Sequence, residues 1–453
     1  MNQREFLYIC ARGSANDVED AIKNGASPNR RAKYQGVSVH PIFVAVMEEN
    51  FGAIGVLLEY KAKHFPAFMA AMIMEDKSML KFLVNLGLDI NAKDNHKRTP
   101  LLCAVTANKF TIVKWLIELG ADVNIRVGFG VNVLTYAAIM SEETEMEPDA
   151  RIIKILMSAK VDYTDAMMMA IKTNNLKFIE LLLKNGADVN KIEAVQQSPL
   201  SLAILNIQNV GEKAVSMAKL LIKHGANVNE ILDLSNEEDI EKGRAPIFTT
   251  NINLAISMES EKCLELLLKN GANPNFLDSK GRTPLMYAVL TSLKMVDMLL
   301  THKADPNLGD LEGRTPLTLA IVDSEVDENI IKTLLEHGAN PNIRDNSGYT
   351  ALTWAVNDHD RIPGIFISAL IRTGAMMSEK GHELFELAVL FNVLKREIQL
   401  DNIKNLISYG ADPNIPDKRG VSALGWSIMN FDEEIAEILK KSSNPSGSSS
   451  HLP

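Results

Sequence analysis

Between Lys269 and Leu300, apolar and polar positions alternate in a way that the rest of the chain repeats. One apolar group runs from Leu285 through Ala288 and Val289. A second, Met295, Val296, Met298, Leu299 and Leu300, falls on one side of a helix. Thr291 and Ser292 mark the turn between the two helices. Ahead of them, Asn270-Gly271-Ala272 closes an earlier helix, because glycine accepts the left-handed backbone that follows a helix C-terminus. Asn273 to Lys280 is rich in Asn, Pro, Asp and Ser and cannot continue a helix, so it is predicted to be an extended loop or hairpin, a finger. Thr283 is a good N-cap, and Pro284 takes the first helical position, where its missing N–H is not needed. Lys303-Ala304-Asp305-Pro306-Asn307 then starts the pattern again.

This unit resembles the ankyrin repeat, which has about 33 residues, a hairpin, two antiparallel helices and a Thr-Pro-Leu-His opening to the first helix. The openings here are Thr283-Pro284-Leu285-Met286, Thr99-Pro100-Leu101-Leu102, Ser198-Pro199-Leu200-Ser201, Thr315-Pro316-Leu317-Thr318, Thr350-Ala351-Leu352-Thr353 and Ser422-Ala423-Leu424-Gly425. The capping hydroxyl is kept throughout and the proline in most. The family's His is absent from the fourth slot, so the His-to-Thr bonds between neighbouring repeats are lost and looser coupling is expected.

The mark Gly-Ala-x-x-Asn returns along the chain, with its helix-ending slot at Gly25, Lys61, Gly87, Gly120, Lys160, Gly186, Gly225, Gly271, Lys303, Gly338, Gly374 and Gly410. A further helix pair follows Gly410, for about thirteen pairs. The fold class predicted is an all-α ankyrin-repeat solenoid with short hairpin loops. It forms one continuous array over residues 1–441, because stacked repeats need bury themselves only against their neighbours. The lysines at 61, 160 and 303 carry a Cβ into a left-handed turn, so those three turns are expected to deviate.

Departures from the repeat length carry information. Lys61 to Gly87 and Lys160 to Gly186 are each only 26 residues apart. The missing residues are those of the finger, which predicts gaps in the finger row at both places. Residues are added from Asn229 to Thr250, placed in a finger, and from Ser141 to Asp149, an acidic insertion between two helices. Longer inter-helix turns are expected at Asn206–Val215, Asp323–Asn329 and Asn392–Asp401. Residues 1–30 form an N-terminal capping unit, with Gln3, Arg4, Asp17, Glu19 and Asp20 on its outer side, and residues 415–441 form a C-terminal one. Residues 442–453, rich in Ser, Gly and Pro, are expected to be a disordered tail.

Charge and chemistry narrow the function. A net charge of −10 lacks the basic stripe a nucleic-acid binder needs. Cys10, Cys103 and Cys263 are far apart and form neither a metal spacing nor a disulfide framework, which fits a reducing, cytoplasmic setting. No signal-peptide core and no membrane-length apolar run is present. His224, His302 and His337 each precede a helix-ending slot, where a histidine faces the last carbonyls. No metalloprotease, phosphate-loop or serine-hydrolase motif occurs, and neither a cofactor nor a metal is implied. The methionines of the fingerless units, Met69, Met72, Met74 and Met167 to Met169, read first as adaptable core and second as a pliable surface left bare by the missing finger. Tyr287, Trp354 and Trp426 share one slot and read as packing residues.

The family resemblance implies partner binding on the concave side, through finger tips and first helices. Mapped here, the candidate contacts are His96, Arg98, Phe129, Lys280, Arg282, Arg314, Tyr349 and Arg419. Arg98, Arg282, Arg314 and Tyr349 share one slot, and Arg and Tyr often anchor interfaces. The reading is a monomeric, non-catalytic scaffold that binds protein partners, an acidic segment among them. A second reading makes it a bacterial effector delivered into a host cell, on the acidic last helix and the Ser-rich tail. A third is an enzyme with a site between insertions 141–149 and 231–249.

Overall fold

The computed structural model describes residues 2–127, 130–144, 149–191, 197–233, 248–323, 327–357, 422–429 and 433–443. Its contacts group into two units, Met1–Ala203 and Ile204–Pro453.

In the first unit, antiparallel helix pairs follow one another: Gln3–Arg12 with Ala15–Lys23, Pro41–Met47 with Phe51–Glu59, His64–Met74 with Lys77–Asn85, and Pro100–Thr106 with Phe110–Glu118. Val133–Thr144 with Ala150–Ser158 and Thr164–Lys172 with Leu176–Lys184 continue the series. Each first helix packs on the first helices beside it. The core lies between neighbours, with Phe6, Ile42, Ile54, Phe68, Leu83 and Phe178 fully buried. Adjacent helix pairs thus complete each other's interior.

The second unit repeats this with Asn251–Ser257 and Glu261–Lys269, Pro284–Val289 and Leu293–Thr301, and Pro316–Val322 and Glu328–Glu336. Helices Ala351–Asn357, Ala423–Met429 and Glu433–Ser443 follow. The last runs past residue 441, so Ser442 and Ser443 are helical rather than part of a tail. The inter-helix stretch after Asn206 holds a short helix, Ile207–Val210.

Helix starts form where the capping hydroxyls predict. Thr99, Ser198, Thr283, Thr315, Thr350 and Ser422 each accept from the backbone N–H three residues on, at 3.2–3.3 Å. In place of the absent His, Thr318 and Thr353 bond the capping hydroxyl of their own unit, at 3.2 and 2.9 Å.

The lysine turns do not deviate, contrary to expectation. Lys61, Lys160 and Lys303 take φ of 59°, 59° and 69°, in the same left-handed region as the glycines. Lys61 N–H bonds Leu58 O and Ala62 N–H bonds Leu57 O, both at 2.9 Å, as Gly25 and Ala26 do with Ile22 and Ala21. The two bonds that close the helix outweigh a conformational penalty of about 1–2 kcal/mol.

With the His-to-Thr bonds absent, another tie links neighbouring repeats. The Asn of the repeated mark clamps the next unit. Asn29 Nδ2 donates to Lys61 O at 2.9 Å and its Oδ1 accepts from Lys63 N–H at 2.8 Å. Asn124 does the same with Lys160 and Asp162, Asn229 with Gly271 and Asn273, Asn275 with Lys303 and Asp305, and Asn307 with Gly338 and Asn340. An amide offers a donor and an acceptor together, so one side chain satisfies both backbone groups of the next turn.

Fingers are hairpins where described. β1 (Ala32–Tyr34) pairs antiparallel with β2 (Val37–Val39), and β3 (Ile231–Asp233) with β4 (Phe248–Thr250), at the base of the long finger. Helices His64–Met74 and Thr164–Lys172 start almost directly after Lys61 and Lys160, so both predicted gaps in the finger row exist. The acidic insertion begins as helix, since Val133–Thr144 includes its first residues. In the first capping unit, Gln3 turns inward and ties the following loop through Ser27 N–H, Ser27 O and Arg30 O.

Candidate binding cleft and finger row

Each regular finger is built around one aspartate. Asp94, Asp278, Asp310 and Asp345 accept through Oδ1 from the backbone N–H groups two and four residues on, at 2.8–3.0 Å. The second oxygen fixes a side chain of the same unit. Asp94 holds Arg98 Nε at 2.8 Å, and Asp310 holds Arg314 Nε at 3.0 Å. Asp278 takes the Tyr287 hydroxyl, and Asp345 takes Trp354 Nε1 at 2.7 Å. Burial works to raise the Asp94 carboxyl pKa, but bonds from Arg98 and His96 outweigh it and hold the carboxyl below its usual value.

Arg98, Arg282, Arg314 and Tyr349 therefore sit in one equivalent position, as their spacing predicts, and each is engaged locally. Arg98 and Arg314 are ion-paired at 2.7 and 2.8 Å. The Arg282 guanidinium lies 6.0 Å from the Tyr287 ring centre, and Tyr349 packs edge-on against Trp354 at 5.3 Å. Tyr287 and Trp354 thus join finger to first helix. His96 and Lys280 are exposed at finger tips. Phe129 and Arg419 lie outside the described residues.

In the second unit the tips are joined to one another. Leu311 N–H donates to Lys280 O at 3.2 Å, and Asn346 N–H to Glu312 O at 2.9 Å. Gly313, at φ 77°, is required there twice over. Its backbone is left-handed, and a Cβ would come within 2.9 Å of Asn346 Oδ1.

In the first unit the row is interrupted, and the interruption is a cleft of about 590 Å³. β2 forms one wall and the finger at residues 92–98 the other. The floor is the helix His64–Met74, which no finger covers. Phe43, Phe65, Met69 and Ile73 present apolar surface to it, and Ile73 is 59% exposed. Arg31, Lys63, Lys93 and Arg98 stand around the rim against a single carboxylate, Asp94, which Arg98 already occupies. His40, His64 and His96 complete the polar lining. His40 Nδ1 is buried with no hydrogen-bond partner among the described residues. Burial, then Arg31 and Lys63 nearby, lower the His40 pKa.

The clamp continues across the gap with other side chains. His64 Nδ1 accepts from Asp89 N–H at 2.9 Å, standing in for the missing asparagine. At the other fingerless unit the Tyr163 hydroxyl accepts from Asp188 N–H, also at 2.9 Å. There the gap is bridged by charge. Asp165 holds Arg126 at 3.3 Å, and Asp162 holds Lys191 at 2.9 Å, with Lys191 also 4.8 Å from the Tyr163 ring centre. The Lys191 bond is the main reason the Asp162 pKa falls to about 2. Where that unit carries Asp162 and Asp165, the first fingerless unit carries Lys63 and Pro66, so no carboxylate fills its gap and the rim stays cationic.

Met72, Met167 and Met168 are core, as the first reading of the methionines holds. Met69 faces the cleft, as the second reading holds. Sequence reasoning named His96 and Arg98 but missed Arg31, Phe43, Lys63, Phe65, Ile73 and Lys93. The signal that could have found them was the short spacing itself, because an omitted finger exposes the floor and both walls around it.

Burial pushes the Cys10 and Cys263 thiols up to about 12, far from a reactive thiolate. Among the described residues, no cluster of His, Cys, Asp or Glu could hold a metal ion. No described helix is long and apolar enough to cross a membrane. His224, His302 and His337 bond the carbonyl four residues back through Nδ1, at 3.0, 2.8 and 2.9 Å, which is the helix-ending role expected of them.

Stacked helical hairpins joined by protruding fingers and clamped by a recurring asparagine define a repeat protein of the solenoid class. A family profile described as ankyrin repeats (3 copies) matches residues 6–127, 134–231, 234–310 and 303–368. The chain belongs to the ankyrin-repeat family. It is 30% identical over 168 residues to the ankyrin repeat protein R598 of Acanthamoeba polyphaga mimivirus, covering 36% of this chain and 48% of that one. It is 27% identical over 235 residues to the mimivirus ankyrin repeat protein L371, covering 45% and 29%. The chain thus spans half or less of the length of these relatives. The ankyrin repeat protein YahD of Escherichia coli (strain K12) is 26% identical over 174 residues, covering 36% of this chain and 83% of that one. The solved human ASB11 ankyrin repeat domain aligns with 62% of this chain and all of its own length, at 22% identity and a TM-score of 0.35.

Proposed function

We propose that this chain is a non-catalytic scaffold that holds protein partners on the surface made by its fingers and first helices. Family membership supports interaction as the general role. The observation that carries the particular face is the interrupted finger row, which exposes an apolar floor inside a cationic rim. Such a rim on a chain of net charge −10 favours a partner segment that is acidic. The scaffold works as a monomer in a reducing intracellular compartment.

The test is affinity capture from cell extract by the intact chain and by a triple variant, His96→Ala, Lys280→Glu and Arg282→Glu. These positions do not hold a finger aspartate through their side chains, so the folded midpoint should stay within a few degrees of the parent. Partners held by the parent should be lost by the variant. Equal capture by both would sink the assignment of the face.

A second reading has the chain act inside a host cell. The viral relatives favour it. A translocation reporter fused to the chain, with and without residues 430–453, should enter host cells only when those residues are present.

A further inference from the structure

We propose that the cleft left by the missing finger takes an extended acidic segment of a partner protein, anchored by one large aliphatic or aromatic side chain between its carboxylates. This rests on the scaffold reading and names the occupant of one part of that surface.

The chemistry of the cleft asks for both features at once. Its floor is apolar and uncovered, with Ile73 59% exposed and Val37 on the β2 wall 63% exposed. Apolar surface of this kind next to charged groups marks an interaction site. Above the floor, Lys63, Lys93, Arg31 and Arg98 face one carboxylate, which Arg98 already neutralises. Among the described residues, Lys63 Nζ reaches only the neutral Asn95 Oδ1, at 3.4 Å, and Lys93 Nζ only the Arg126 carbonyl, at 3.1 Å. Both ammonium groups keep donors for an anionic visitor. An apolar anchor would cover Phe65, Met69 and Ile73 while flanking carboxylates meet the rim.

The shape favours a chain segment. The space is that of an omitted hairpin, an element made of extended backbone, so extended backbone is what fits between β2 and the next finger. The cleft is about half open to solvent, so it encloses a small molecule less fully than a closed pocket does. Nucleic acid is disfavoured because the cations stand around an aliphatic floor and do not line a continuous track. The other fingerless unit provides the internal contrast. Its gap carries Asp162 and Asp165, already paired with Lys191 and Arg126.

The experiment is fluorescence anisotropy with the full chain at 0.1 M salt. The probe is a labelled octapeptide with a central Leu-Phe pair and three carboxylates on each side. Two control peptides replace the pair by Ser-Ser or the carboxylates by lysines. Micromolar binding of the probe is expected, at least tenfold weaker for either control and falling with salt. The double variant Lys63→Glu, Lys93→Glu should weaken it at least tenfold. Ile73→Glu, at an exposed position, should weaken it at least threefold. The backbone bond from Lys63 to Asn29 survives these changes, and circular dichroism melting should confirm an intact fold. Binding that ignores both variants, or a Ser-Ser control that binds as well as the probe, would overturn the proposal. A thymidine octanucleotide that binds as tightly, in a way the variants abolish, would reassign the cleft to nucleic acid. Should the probe not bind while extract capture by the intact chain persists, the cleft assignment is wrong and the scaffold reading stands. Loss of both would sink the scaffold reading too.

Discussion

His64 accepts a hydrogen bond from the backbone N–H of Asp89 through Nδ1 at 2.9 Å, and so carries the inter-repeat clamp across a unit that has no asparagine to do it. The same residue lines the cleft, so coupling between repeats and the binding floor share one side chain. His64→Ala should raise the hydrogen-exchange rate of the Asp89 amide about two- to fivefold, with little change two repeats away. The loss corresponds to one exposed neutral bond, about 0.5–1 kcal/mol. Asn307→Ala removes a donor and an acceptor together and should expose the Asn340 amide more. Unchanged exchange in both variants would show that the clamp is idle.

The left-handed lysines give a stability prediction. Lys303→Gly relieves a side chain from φ 69° and should stabilise its unit by about 1 kcal/mol, after allowing for the extra freedom glycine has when unfolded. Gly313→Ala runs the other way. It adds a Cβ at φ 77° and within 2.9 Å of Asn346 Oδ1, and should destabilise by at least about 1–2 kcal/mol. Urea denaturation of the full chain checks both signs. If the two substitutions moved stability the same way, the steric account would be wrong.

Acid should loosen the second fingerless unit. The Asp162 pKa is lowered to about 2, first by the Lys191 hydrogen bond, against about 3.9 for a free aspartate. A depressed carboxylate contributes stability that is present above the unfolded value and lost as pH falls through the folded one, here between about pH 4 and pH 2. The pair is exposed, so screening keeps the contribution below about 1 kcal/mol. The difference in melting temperature between the parent and Asp162→Asn should be visible at pH 6 and vanish near pH 2.

His40 should report occupancy of the cleft. Burial, then the charges of Arg31 and Lys63, lower its pKa. Its neutral form is therefore favoured in the folded chain, and stability falls as pH drops below the unfolded value toward the lowered one. An acidic peptide bound nearby would offset the two cations. The His40 ring signals in an NMR titration should then move to higher pH when peptide is added. A titration indifferent to peptide would place the peptide elsewhere.

Local chemistry was legible in the sequence. Thr99, Thr283 and Thr315 announce their helices because a cap needs only its own next three residues, and the omitted fingers show as short spacing. The contacts of Arg98 and Arg314 were less plain. Each looks like a free cation at a finger tip until its aspartate, four residues earlier, is seen to fold back on it. The roles of His64 and Tyr163 were hidden for another reason. Their partners lie 25 residues on, and nothing local distinguishes an acceptor from an ordinary polar residue. The lysine turns misled because a single-residue preference was weighed without the two backbone bonds that set it.

The clamping asparagines all reach the same way, from side chain to the backbone of the following unit. The array therefore has a mechanical polarity that its helices lack. Trimming it from the C-terminal side leaves a bare amide that water solvates freely. Trimming it from the N-terminal side leaves a helix-ending turn whose holder is gone, so damage should spread forward along the chain more readily than back.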